Sequence, residues 1–366
     1  MPQKANNSLG RLSRTAQIFI DLVRIDSPSG QEEKMIAYLK PWLKKNGFEY
    51  SVDQYNNLLG YRAGKGESIL LCAHMDTVEP GRGIKPVIKK DIVCSSGKTI
   101  LGADNKAPLS AILTAVEEYL KNETSPRTIE LLFTAKEETG GGVEFFDFTK
   151  LRSKYGIISD YAKPIGGIAV ASPFIYNFEA KFIGKAAHAS RPEEGINSLV
   201  VALKFASQVQ VGRMDENKTT INIGKIVSGT SINTVPEETI INGEVRSFSE
   251  DRFKQHLVEI ERLARNAAKG TKVKLRFSKD GYCSGYSYRQ DDELVRKIVA
   301  IYKQMGFETS YLITTGISDS NPLVGAGIKV VTLTDGVDKA HTNQENISLK
   351  NIDTLHNLFL NLLNLI

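Results

Sequence analysis

The chain has 366 residues, of which 41% are hydrophobic and 24% charged; that is a globular composition with material for a sizeable core, and the length predicts two domains. A formal net charge of only +5, with the basic residues scattered, excludes a polybasic arm, so small or anionic substrates fit better than nucleic acid or a membrane surface. Met1 to Arg14 is polar with no apolar leader core, no apolar run approaches the roughly 18 residues of a spanning helix, and Cys72, Cys94 and Cys283 show no CxxC spacing. The expected compartment is the cytoplasm, with reduced thiols and neither a disulfide framework nor a thiolate zinc site.

Residues 14–25 and 31–46 carry apolar side chains at helical spacing (Ile18, Leu22; Met35, Leu39, Leu43), joined by Ser27-Pro28-Ser29-Gly30, a turn able to cap the second helix. Strand-like apolar runs follow at 69–73, 129–135 and 156–159, with an amphipathic helix bearing Leu109, Ile112, Leu113, Val116 and Leu120 between the first two. Strand, helix, strand predicts a mostly parallel sheet covered by helices on both faces. From 176 to 283 the pattern becomes strand 177–184, helix 195–209, strands 219–227 and 239–246, helix 250–268 and strand 271–278, the split β-α-β-β-α-β unit. Helix 291–304, strand 329–333 and a closing helix 348–364 then resume the first pattern. The expected fold is α/β, a helix-sandwiched mostly parallel sheet formed by 1–175 and 284–366, with a ferredoxin-like α+β domain inserted at 176–283.

In open α/β sheets ligands gather at the carboxyl ends of strands. Strand 69–73 runs into His74-Met75-Asp76, Asp104 precedes the long helix, strand 129–135 ends at Glu137-Glu138, strand 156–159 ends at Asp160, and strand 329–333 leads to His341. A single His-x-Asp or Glu-Glu at an element end is usually a satisfied polar pair or a dipole complement. Five such coincidences around one pocket point to metal. Imidazole and carboxylate without thiolate suit zinc first, with cobalt or manganese as alternatives, and five ligands suit two ions rather than one. Two divalent ions, three carboxylates and a hydroxide come out near neutral, which a buried cleft tolerates.

The phrases His74-Met75-Asp76-Thr77, Ile100-Leu101-Gly102-Ala103-Asp104-Asn105-Lys106-Ala107, Thr134-Ala135-Lys136-Glu137-Glu138, Gly184-Lys185-Ala186-Ala187-His188-Ala189 and Ala340-His341 resemble, over nearly the whole chain, the zinc peptidase and aminoacylase family that holds peptidase T, bacterial tripeptidases and glutamate carboxypeptidase, with the nearest likeness to peptidase T-like proteins. The resemblance implies that His74 and Asp160 bind one zinc, Glu138 and His341 the other, and that Asp104 bridges them. It implies Glu137 as the general base acting on a shared, metal-activated water, and Asp76 as the acid that aims His74. It further implies that His188 steadies the oxyanion across a homodimer formed by the inserted domain, and that Arg246 and Asn233 contact substrate.

Three features have plainer readings. His256 and His356 fall inside helices and read as structural or exposed. Gly140-Gly141-Gly142 lacks the Lys-Ser/Thr of a phosphate cradle and reads as flexibility beside the site. Gly316-Ile317-Ser318-Asp319 is similar to the family's turn near a substrate carboxylate, with Thr315 where a glycine is usual. Asn105, Pro108 and Thr139 also depart from the family pattern; proline in a first helical turn is tolerable. The expected function is a di-zinc exopeptidase removing N-terminal residues from short peptides, tripeptides foremost. The alternatives are a deacylase or carboxypeptidase with the same machinery, and a non-catalytic metal-binding homologue.

Overall fold

In the computed structural model, which describes residues 12–215 and 219–365, the first helix, Arg14–Val23, starts where the Ser13 hydroxyl accepts from the N–H of Ala16. Most of the polar Met1–Arg14 stretch lies outside the described residues. The second helix, Glu33–Lys45, gains no side-chain cap, so the expected capping role of the 27–30 turn is not realised. Ser27 instead donates to the carbonyl of Met75 at 2.8 Å and Ser29 to Asp76 Oδ2 at 2.6 Å. That turn ties the first helices to a strand end.

Two compact units divide the chain. One runs up to Val170 and returns as Tyr288–Ile313 and from Ser318 onward; the other comprises Ala171–Ser287 and Thr314–Ile317. In the first unit the strands lie in the order Glu49–Val52, Leu58–Arg62, Ile129–Thr134, Ile69–His74, Tyr155–Ser159, Lys329–Leu333, Gly167–Ser172. The four central strands are parallel, and the outer ones pair antiparallel. Their register aligns His74 with Thr134 and Leu333 with Ser159, so the residues just beyond these positions emerge at one end of the sheet. The fold is the expected mixed α/β one with a mainly parallel central sheet.

Helix Ala103–Asn122 departs from its expected amphipathic character. It is buried almost throughout, at Ser110 and Thr114 as well as at Leu109 and Ile112. The reason is that helices Arg14–Val23 and Leu349–Leu365 and strand Ile69–His74 all pack on it, so small residues such as Ala107, Ala111 and Ala115 serve close helix approach. Asp104 and Asn105 have non-helical backbone angles, which leaves Pro108 in the first regular turn, where its missing N–H costs no hydrogen bond.

The second unit has four long antiparallel strands in the order Thr219–Ser228, Glu238–Ser247, Phe174–Ile183, Lys274–Cys283. Helices Ser198–Gln208 and Glu250–Ala268 pack on each other and on this sheet. The second helix is capped by Ser249 and buries Phe253, Leu257, Ile260, Ala264 and Ala267, a stripe at helical period that meets Phe178, Phe182 and Phe205. The segment 176–283, read as an insertion, lies inside this unit. Among the described residues no helix is long and apolar enough to cross a membrane.

Candidate metal centre

The aligned strand ends of the first unit bring His74, Glu137, Glu138 and Asp160 together, and the start of helix Ala103–Asn122 adds Asp104. Potential ligand atoms of His74, Asp104 and Glu138 lie within 4.8 Å of one another, as do those of His74, Glu137 and Asp160. His341 completes the set from a loop, where its own left-handed backbone (φ 64°) turns the ring toward the acids.

Asp104 sits between the two histidines. Its Oδ1 is 3.1 Å from His74 Nε2 and its Oδ2 is 3.4 Å from His341 Nε2. His74 Nε2 also lies 3.5 Å from Asp160 Oδ1, and His341 Nε2 lies 3.0 Å from Glu138 Oε2. Each imidazole therefore faces one private carboxylate and one oxygen of the shared one. His74 Nδ1 faces only acceptors, the carbonyl of Asp76 at 3.1 Å and its Oδ1 at 3.4 Å. In the neutral ring that nitrogen carries the proton, which leaves Nε2 as the ligand atom.

Asp76 organises the turn opposite. It is fully buried and accepts from the N–H groups of Glu137 at 3.0 Å and Glu138 at 3.3 Å, as well as from Ser29. One carboxylate thus aims the imidazole of His74 and docks the two glutamates. Asn105 Nδ2 donates to Asp160 Oδ1 and to the carbonyl of Ser159, both at 2.7 Å. An amide supplies both N–H bonds, whereas an aspartate there would set a second charge against Asp160.

The electrostatics are those of a cluster of acids short of positive charge. Among the described residues the acids are paired by the two imidazoles, with no lysine or arginine ion pair to them. Burial opposes charge on His74, but hydrogen bonds to Asp104, Asp160 and Asp76 raise its pKa well above the usual imidazole value. His341 is raised to about 10 by Asp104 and Glu138. Burial and then Asp160 push the Glu137 carboxyl well up. Burial raises Asp160 as well, against the pull of His74. Asp335 is fully buried, its Oδ2 has no hydrogen-bond partner, and its carboxyl is raised by burial and by Asp104. Hard oxygen and imidazole donors, with one carboxylate shared between two histidines and further acids crowded beside it, fit two divalent ions.

Sequence reasoning missed several contributors. Asp335 follows strand Lys329–Leu333 almost directly and was open to the strand-end rule that found Asp160. Asp319, by contrast, belongs to the 316–319 turn that the sequence did single out; it is buried, accepts a hydrogen bond from the Thr134 hydroxyl, and has a carboxyl raised to about 8 by that burial. Glu345, four residues after His341, gave no pattern at all. The Gly140–Gly142 run is not simply flexible. A Cβ on Gly142 would stand 1.7 Å from the carbonyl oxygen of Ala135, so the backbone passes close over the strand end that delivers the glutamates.

His188, Asn233 and Arg246 belong to the second unit. The short strand Ala187–His188 pairs with Thr234–Val235, and the N–H of Ala189 reaches the carbonyl of Asn233 at 2.8 Å, which makes His188 and Asn233 neighbours. His188 is exposed with Nδ1 2.7 Å from Ser190 Oγ. Arg246 already spends its fork on Glu244 (2.8 and 3.0 Å) and its remaining nitrogen on the carbonyl of Thr315 at 2.9 Å. His356 bridges Thr114 at 2.9 Å and Glu118 at 3.0 Å, a structural role.

Residues 70–365 match the model of peptidase family M20/M25/M40. The uncharacterized protein YqjE of Bacillus subtilis (strain 168) is 31% identical over 351 residues, spanning 93% of this chain and 94% of its own. Among solved structures, aminopeptidase PepT from Bacillus cereus ATCC 10987 superposes with a TM-score of 0.85 at 29% identity, over 97% of this chain and 99% of that one. A tripeptidase from Staphylococcus aureus subsp. aureus Mu50 superposes with a TM-score of 0.84 at 29% identity, over 97% and 98%.

Proposed function

The chain belongs to peptidase family M20/M25/M40, and on that premise we propose that it is a di-zinc exopeptidase releasing the N-terminal residue of short peptides, tripeptides foremost. The observation that carries this reading is Asp104, which turns one oxygen to each of two histidines that each have a second carboxylate of their own. His74 and Asp160 would hold one ion, Glu138 and His341 the other, with Asp104 shared. Bound there, such ions supply Lewis acidity toward a carbonyl and make water acidic near neutral pH.

The protein's own share is proton handling and aim. Glu137 lies with His74 and Asp160 and has a carboxyl raised by burial, which suits a group that takes a proton from water and passes it to the leaving amine. Asp76 keeps Glu137 and Glu138 at their stations through their N–H groups. We assign residues 1–175 and 284–366 to catalysis and 176–283 to a lid and homodimer contact. There His188 would steady the oxyanion in the partner's site, and Asn233 and Arg246 would meet the substrate. The Arg246 role requires the Glu244 pairing to be shared or exchanged. The sequence character supports a cytoplasmic enzyme.

The substrate side is tested by incubating the zinc-loaded protein with a tripeptide pool and the same pool N-acetylated. Release of N-terminal residues from the free pool alone is expected. Cleavage confined to the acetylated pool would move the protein to deacylation, and release of C-terminal residues would make it a carboxypeptidase. Two tightly held ions with no turnover of either pool would favour a binding protein.

A further inference from the structure

Two of the proposed ligand segments are joined by a carboxylate outside the ligand set. Glu345 is 1% exposed. Its Oε2 accepts from the N–H groups of Leu101 and Gly102, both at 2.7 Å, and its Oε1 accepts from the N–H of Asp104 at 3.0 Å. Gly102 takes a left-handed conformation (φ 72°), which helps three nearby N–H groups converge on one carboxylate. Each of these buried donors would be costly to leave unpaired.

Glu345 also stands on the turn that carries His341. The hydrogen bonds from Glu345 N to Thr342 O at 3.0 Å, from Thr342 Oγ1 to Lys339 O at 2.8 Å and between Asp338 and Asn346 at 2.9 and 3.0 Å are internal to that turn. The Glu345 carboxylate links it outward to the backbone of Asp104, while His341 Nε2 faces the side chain of the same residue at 3.4 Å. One turn therefore grips Asp104 twice, by its backbone and opposite its carboxylate.

We propose that Glu345 is a positioning residue that holds His341 and Asp104 in register and so sets the affinity of the ion site formed by His341, Glu138 and Asp104. This rests on the two-ion reading above. His74 and Asp160 have their own supports in Asp76 and Asn105, so the other ion site does not depend on the turn in the same way.

The test is titration of zinc into metal-free wild type, Glu345→Gln and Glu345→Asp, read calorimetrically, with circular-dichroism melting of each metal-free protein and Co²⁺ absorption spectra of each loaded one. Glutamine keeps one acceptor oxygen and turns an NH₂ toward donors; aspartate keeps the charge on a stem one methylene shorter. The expected result is two ions in the wild type. Glu345→Gln should bind the ion at His341 about 10–100-fold more weakly and the ion at His74, which shares Asp104 but keeps its own supports, with a clearly smaller loss, with an altered spectrum for the second Co²⁺ added. Glu345→Asp should fall between. Two ions held with wild-type affinities by the variants would overturn the proposal, as would equal weakening of both sites. If Glu345→Gln does not fold without metal, the aspartate variant decides on the same criteria. Fewer than two ions in the wild type itself would sink the two-ion reading and this inference with it, whereas two ions in the wild type and no selective effect in the variants sinks this inference alone.

Discussion

Replacing Glu137 by glutamine lowers kcat by about 10²–10⁴-fold, the usual contribution of a positioned general acid–base group, while the protein keeps two ions and a KM near that of the wild type. The expectation follows from placement. Glu137 approaches His74 and Asp160 within ligand distance of the cluster, yet His74 and Asp160 pair without it at 3.5 Å, so an amide of the same shape leaves the ligands in place and removes only the proton acceptor. Its backbone stays fixed because the N–H of Glu137 is bound by Asp76, a contact the substitution does not touch. Steady-state kinetics on a tripeptide, with metal content measured on the same preparation, checks it. A variant with two ions and undiminished kcat would remove Glu137 from the chemistry.

Asp104→Ala should have the larger effect on metal, weakening both ions together by more than the roughly 10–100-fold seen when a supporting residue is lost, because both proposed sites share this carboxylate. The metal-free protein offers an independent reading. Asp104 is the first cause of the raised pKa of His341, ahead of Glu138, so the alanine variant should bring the His341 titration down from about 10 toward the ordinary imidazole range while Glu138 still holds it somewhat high. Titration of the histidine ring protons by NMR checks the shift, and equilibrium dialysis checks the ions. Loss of one ion with the other intact would mean that Asp104 serves a single site.

Much of the fold was legible because its strongest elements obey simple periods. The stripe Phe253, Leu257, Ile260, Ala264 on helix Glu250–Ala268 and the unbroken apolar strand Ile69–His74 could be read directly. Outer strands such as Glu49–Val52, exposed along its whole length, carry no buried face and hence no alternation to read. Helix Ala103–Asn122 misled in another way: a helix packed on several sides needs small residues all round, which resembles weak amphipathicity. At the site, His74, Asp104, Glu138 and Asp160 were visible because strand ends and the position before a helix are few and marked by neighbouring apolar runs. His341, eight residues beyond strand Lys329–Leu333, was reached by the same strand-end reading across a longer loop. Asn105 and Glu345 act through amide and backbone hydrogen bonds whose partners lie 55 and 241–244 residues away, and no local pattern announces such contacts.

The most direct test of two ions held by His74, Asp104, Glu138, Asp160 and His341 is calorimetric titration of zinc into the metal-free protein at several pH values, in buffers of different ionisation enthalpy. Without metal, His341 holds its proton up to about pH 10 and His74 is also raised well above the usual value. Both must be neutral to ligate, so binding expels protons and apparent affinity climbs as pH rises through neutrality toward 10. The predicted result is two ions per chain, net proton release near pH 7, and tighter binding at higher pH. A single ion, or two ions bound with no proton release and no dependence on pH, would contradict it.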